Sequence, residues 1–146
     1  MSRQLVDVNV LLALLWSRHE SHNAAHAWFA KSGHQAWATN PLVQLGVVRL
    51  LTNPNVTQGA VSAQGALSIL RDATSHPGHE FWPLDEPLPL ALQDLAIRIK
   101  GHRQYTDAVL LWQVKHRNGI LVTFDAGVKS LAVAEFTSNV LLLKSR

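Results

Sequence analysis

The sequence predicts an α/β fold built on a mostly parallel sheet, and three observations carry that reading. Short apolar runs rich in β-branched residues recur along the chain. Each is followed by a longer stretch of helix formers. The run Ile120–Phe124, ILVTF, is apolar at all but one position, the pattern of a strand buried on both faces. Strands that alternate with helices pair in parallel, because each helical crossover returns the chain to the end of the sheet it left.

The elements follow in order. Gln4–Val8 reads as a first strand with Asp7 at its end, and NVLLALLW over Asn9–Trp16 as an apolar helix. A second helix covers His19–Phe29 and stops at Gly33; its apolar face holds Ala25, Trp28 and Phe29, with His22 and His26 one turn apart. Gln35–Thr39 is the second strand. Asn40-Pro41 then starts a helix, Asn as cap and Pro in the first turn. In that helix, PLVQLGVVRLLTN, the expected core face is Leu42, Leu45, Val48 and Leu51. NPNVTQG is a loop, and Ser62 caps a helix that runs to about Thr74 before SHPGH breaks it. Glu80–Leu84 is a short third strand. A proline-rich entry leads to a helix, LALQDLAIRIK, that ends at Gly101. The next helix runs from Asp107 to Arg117, with Thr106 as its cap and Lys115, His116 and Arg117 in its last turn. Asn118-Gly119 ends it, and the fourth strand follows. Ala126–Ala132 makes one or two helical turns, and Asn139–Leu143 is the last strand. The order is β-α-α-β-α-α-β-α-α-β-α-β.

Composition narrows the function classes. The 146 residues suit one domain, 1–146, with a real core. Apolar residues make up 47% and charged residues 16%, which excludes a disordered chain. No apolar run is long enough to span a bilayer, and Asp7 interrupts the segment that would have to be a signal peptide. There are no cysteines, so disulfides and thiolate metal sites are excluded and a reducing cytoplasm is the expected location. A net charge of +3 permits nucleic acid as a partner without requiring it. The chain has no P-loop and no glycine-rich dinucleotide fingerprint; Gly46, Gly59 and Gly65 are isolated and suit packing or turns. His19-Glu20-Ser21-His22 is one residue short of a zinc-protease motif, whose two histidines must lie four apart on one helical face.

The candidate chemistry lies in three aspartates. Asp7 ends the first strand, Asp107 starts a helix, and Asp125 follows the fourth strand. An isolated Asp at any of these places is accounted for as a cap or a turn residue. Three of them are not, once the fold is considered. In a parallel α/β sheet the ligand sits beyond the carboxyl ends of the strands, where the strand order reverses. If the first strand is central and the fourth lies beside it, Asp7 and Asp125 meet there, and Asp107 enters on the preceding helix. Three carboxylates in one crevice repel each other unless a cation joins them. A hard divalent ion, Mg²⁺ or Mn²⁺, is the natural occupant. Such a site beside Arg and Lys suits phosphodiester hydrolysis.

At this point the chain resembles a PIN-domain ribonuclease of the VapC toxin type. The matching pieces are LVDVNVLLALL, the helix PLVQLGVVRLLTNP, YTDAVLLWQV and LVTFD, in family order over nearly the whole chain. The resemblance implies a three-layer α/β/α sandwich around a central five-stranded sheet. It implies a metal-dependent endoribonuclease, the toxin of a type II toxin–antitoxin pair, inhibited by a small VapB-like antitoxin whose tail covers the site. By position, Asp7, Asp107 and Asp125 match three of the family's acidic residues, as catalytic groups and metal ligands. The fourth position, usually Glu, falls on Gln44, where the amide keeps an acceptor oxygen but no charge. Asn9, Arg49, Lys100, Arg103 and Thr123 are the candidate substrate contacts. The alternative reading is a PIN-like RNA-binding module with little or no cleavage because Gln44 replaces the acid. A phosphatase or receiver domain of similar topology fits less well, since Asn9 stands where a phosphatase needs a second Asp. The apolar helices LLALLW and VVRLL point to a homodimer or an antitoxin-bound complex.

Overall fold

A computed structural model describes residues 2–132 and 134–145. Five strands, β1 (Gln4–Val6), β2 (Trp37–Thr39), β3 (His79–Phe81), β4 (Ile120–Thr123) and β5 (Val140–Leu142), form one sheet in the order β3-β2-β1-β4-β5, parallel throughout. The apolar runs sort by position in that order. Leu5, Val6, Leu121 and Val122 in the two central strands are fully enclosed, whereas β3 at the edge is largely exposed. The chain winds outward from β1 to β3, then crosses back to lay β4 on the other side of β1. Right-handed crossovers therefore place helices on both faces. β1 is shorter than predicted because Asp7 already caps α1 (Val8–Leu15), so pairing ends at Val6.

The predicted helices α2 (His22–Lys31), α3 (Pro41–Leu51), α5 (Ala63–Thr74) and α8 (Ala126–Ala132) are present. Asn40 and Ser62 cap α3 and α5 through their side-chain oxygens, as their sequences require. His22 and His26 stack at 4.2 Å and bond the carbonyls of Ala13 and Leu14. They tie down the last turn of α1.

Four expectations need correction. The segment expected as a loop after α3 contains a single turn of helix, α4 (Pro54–Thr57), capped by Asn53. The long helix expected after β3 is instead α6 (Leu88–Leu92), followed by a 3-10 turn at Ala96–Arg98. α7 (Gln104–His116) starts earlier than predicted, at Gln104, so Thr106 lies inside it and Arg103 precedes it without a side-chain cap. At the other end of α7, Asn118 takes the left-handed conformation (φ 52°). Gly119 serves a different need, because a Cβ there would meet the Trp82 ring at 2.7 Å and the Arg3 carbonyl at 2.9 Å.

The core face of α3 also differs from expectation. Val43, Val47 and Leu51 are buried, while Leu45 is 56% exposed. Gly46 explains the rotation. A Cβ at Gly46 would lie 2.7 Å from Val8 Cγ2, so the Val8 side chain of α1 packs directly on the backbone of α3. That contact fixes which face of α3 turns inward and places Gln44 on its flank, half-buried.

Candidate functional site

Strand order reverses at β1, and the carboxyl ends of β1 and β4 lie side by side, with Val6 level with Val122. One residue beyond, Asp7 is buried and bonded twice. Its Oδ1 accepts from the Val8 amide at 2.7 Å, and its Oδ2 accepts from the Thr123 hydroxyl at 2.7 Å. The Thr123 oxygen in turn accepts from the Asp125 amide at 3.0 Å. Asp125 is exposed, with Oδ1 accepting from the Gly127 amide at 2.8 Å. A single threonine hydroxyl thus joins the two strand-end aspartates. Thr123, expected to touch substrate, is fully enclosed, with both capacities of its hydroxyl engaged. The spacing Thr-x-Asp at a strand end was the available signal for this link.

Asp107 lies in the first turn of α7 and is half-buried. Burial pushes its carboxyl up from 3.8 to about 7, and the charges of Asp7 and Asp125 add to the shift. Asp7 is raised as well, by burial first; the hydrogen bonds from Thr123 and Val8 oppose this, and Asp125 adds to it. All three carboxylates therefore share one electrostatic environment. Among the described residues, the two ion pairs are Arg3–Glu80 and Arg98–Glu135, so neither supplies a counter-charge to them.

Such a donor set fits a hard divalent cation. Among the described residues, no three His, Asp or Glu side chains converge on a single ion position. Mg²⁺ does not demand that convergence, because it keeps several waters and is held through one or two carboxylates. The electrostatics are the stronger indicator: burial first, and then the charges of Asp7 and Asp125, raise the Asp107 carboxyl, a shift that a neighbouring cation would oppose.

The remaining predicted residues surround this edge unevenly. Gln44 is not beside the three aspartates in the hydrogen-bond network. Its amide donates to the Thr39 hydroxyl at 3.0 Å, at the end of β2. Asn9 is exposed on the first turn of α1. Arg49 is exposed at a cleft of about 260 Å³ lined also by Val8, Gly46, Leu50 and Asn53. Lys100 and Arg103 are exposed in the segment that enters α7, where the Lys100 amide donates to Gln104 Oε1 at 2.6 Å. The sequence reading had Asn40 only as a helix cap and missed the buried Gln113. Asn40 Nδ2 donates to Gln113 Oε1 at 2.8 Å, and Gln113 Nε2 donates to the Pro83 carbonyl at 3.0 Å. The first bond ties the start of α3 to α7, the helix that carries Asp107, and the second ties α7 to the segment after β3.

The chain matches the PIN domain family over residues 5–134. Ribonuclease VapC39 of Mycobacterium tuberculosis (strain CDC 1551 / Oshkosh) is 39% identical over 130 residues, 89% of this chain and 94% of that protein. Ribonuclease VapC38 of Mycobacterium tuberculosis (strain ATCC 25618 / H37Rv) is 41% identical over 128 residues, 88% of this chain and 89% of that one. Ribonuclease VapC44 of the CDC 1551 / Oshkosh strain is 35% identical over 131 residues, 90% of this chain and 92% of that one.

Proposed function

The chain belongs to the PIN-domain family, and on that premise we propose that it is a metal-dependent endoribonuclease, the toxin of a toxin–antitoxin pair, acting as a single domain in the cytoplasm. The observation that carries the proposal is the carboxylate edge, where the Thr123 hydroxyl joins Asp7 to the Asp125 backbone at the ends of adjacent strands. Asp107 is pushed up to about 7 by burial and by Asp7 and Asp125, at the point where the strand order reverses. The binding-only alternative gains nothing from the relatives, each of which is named a ribonuclease.

In this reading Asp7 and Asp107 hold a Mg²⁺ or Mn²⁺ ion directly or through water, with Asp125 close behind. Held there, such an ion would supply Lewis-acid chemistry, lowering the pKa of a bound water and offsetting charge on the phosphoryl oxygens. The protein's part is orientation. The Thr123 hydroxyl holds the Asp7 carboxylate at one angle and joins it to the Asp125 backbone. Gln44 supplies a neutral polar group on the β2 side of the same sheet edge. Arg49, Lys100 and Arg103 meet RNA phosphates, and Asn9 lies between them and Asp7 in the chain. Removing a true phosphate contact weakens binding alike across sequences and flattens its salt dependence by about 0.7 per contact on single strands. An unchanged salt slope in the Arg49, Lys100 and Arg103 triple alanine variant would remove them from the interface.

The partners are RNA, a small VapB-like antitoxin and a second copy of the chain. Exposed Leu45 and Leu67, on neighbouring helices, support an apolar contact between copies. α1 does not, because Val10, Leu11, Leu12 and Ala13 are spent on its own core. A monomer at micromolar concentration in light scattering would rule the dimer out. The activity itself is tested by cleavage of structured RNA with Mg²⁺, with Mn²⁺ and in chelator. Cleavage in both metals and none in chelator is the expected result; cleavage that persists in chelator contradicts the assignment.

A further inference from the structure

On the β2 side of β1, the same sheet edge carries a polar chain that the proposal above leaves unused. Gln44 Nε2 donates to Thr39 Oγ1 at 3.0 Å, and Thr39 Oγ1 lies 2.7 Å from His79 Nε2. Thr39 is fully buried, the last residue of β2. Because Leu5 is level with Ala38, Thr39 stands beside Val6, one residue short of Asp7. His79 opens β3, and its ring packs edge-on against Trp37 at 4.7 Å.

We propose that Thr39 and His79 are positioning residues that fix the side-chain amide of Gln44, with its NH₂ on Thr39 and its carbonyl oxygen turned away from β2 as a neutral acceptor. The consequence for cleavage rests on the ribonuclease reading; the geometry does not.

The assignment follows from counting protons. A threonine hydroxyl has one proton and two lone pairs. The Thr74 backbone carbonyl favours a proton on the His79 imidazole, and a carbonyl can only accept. The ring nitrogen facing it therefore carries the proton of the neutral imidazole, and Nε2 offers a lone pair. The Thr39 hydroxyl must donate to that lone pair. Its oxygen then has only lone pairs left for Gln44, and these select the NH₂ end of the amide. A flipped amide would set its carbonyl oxygen against the Thr39 oxygen with no proton between them. Burial lowers the His79 imidazole below the ordinary histidine range, against the pull of the Thr74 carbonyl, which raises it. Arg3 and His76 lower it further, and Glu80 opposes them. Arg3 and Glu80 are themselves paired at 2.9 Å, so much of their effect cancels.

This chain makes a prediction that a merely structural cluster does not. In Gln44→Glu the carboxylate can only accept, so the Thr39 proton turns toward it. The Thr39 oxygen then presents a lone pair to Nε2, which favours the imidazolium. NMR titration of the His79 imidazole should show its midpoint move upward in Gln44→Glu. The added charge alone also acts through space, so the same change is made in a Thr39→Val background. The upward shift should be clearly larger with Thr39 present, and Thr39→Ser should preserve it. Equal shifts in both backgrounds, or none in either, overturn the proposal. In RNA cleavage, Thr39→Val and His79→Phe should each lower kcat about tenfold at unchanged KM, with Thr39→Ser within about twofold of the parent. A change confined to KM also overturns it. The titration needs no cleavage, so an inactive parent protein would count against the ribonuclease reading and leave the hydrogen-bond chain to be decided by NMR.

Discussion

The two sides of β1 end at the same sheet edge but solve opposite problems. On the β4 side, Asp7, Asp107 and Asp125 crowd negative charge, and burial raises both Asp7 and Asp107. On the β2 side, Gln44, Thr39 and His79 form a neutral chain in which each hydrogen bond has its donor and acceptor. One side is stable as it stands. The other is held at a cost that only a cation or a proton removes. A fold tolerates such a cost where chemistry needs it, and the rigid β2 side makes it possible by fixing the edge that the charged side shares.

The largest expected effect breaks the charged side. Asp7→Asn and Asp107→Asn each keep size and polarity and remove one charge. RNA cleavage should fall by about a thousandfold or more, roughly 4 kcal/mol of transition-state stabilisation. Full activity in either variant would sink the catalytic assignment of that residue.

A second change moves charge across the boundary. Gln44→Glu places a carboxylate on the neutral side. One negative charge about 4 Å from a divalent ion contributes roughly 2 kcal/mol even at a water-like dielectric. Calorimetric titration with Mg²⁺ or Mn²⁺ should therefore show affinity tightened about tenfold or more. Identical affinities in the two proteins would place Gln44 outside the metal site and leave it to the Thr39–His79 chain alone.

The two sides were also unequally legible in the sequence. Asp7 and Asp125 could be read directly, because a buried strand ends in each and a helix begins next to each. The β/α alternation gave the parallel sheet, but the strand order that joins them entered only as a condition, which the structure meets. The Thr39–His79 link could not be read, since it spans forty positions and depends on β3 pairing with β2 in one register. The rotation of α3 was lost for a related reason. Leu42, Leu45 and Val48 make a plausible stripe, but Gly46 against Val8 decides which face turns inward, and glycine leaves no mark in a hydrophobic pattern. The long helix expected over 90–100 failed locally, where the chain makes α6 and then a 3-10 turn.

The central claim is that the carboxylate edge is destabilised by burying and crowding its negative charge until a cation joins it, and thermal unfolding tests this most directly. In the folded protein burial and the neighbouring carboxylates push the Asp107 carboxyl up to about 7, above its ordinary 3.8. A raised carboxyl holds its proton more tightly folded than unfolded. Its stabilising contribution is thus complete below 3.8 and is lost as the pH rises through 7. In chelator, Tm should fall between pH 5 and pH 8, and Asp107→Asn should flatten that fall. At pH 8, Mg²⁺ or Mn²⁺ at about a hundred times its dissociation constant should add roughly 2.7 kcal/mol, several degrees in Tm, to the parent and far less to Asp107→Asn. A parent protein whose Tm falls no more steeply than that of Asp107→Asn, and that gains nothing from either metal at pH 8, would contradict the account.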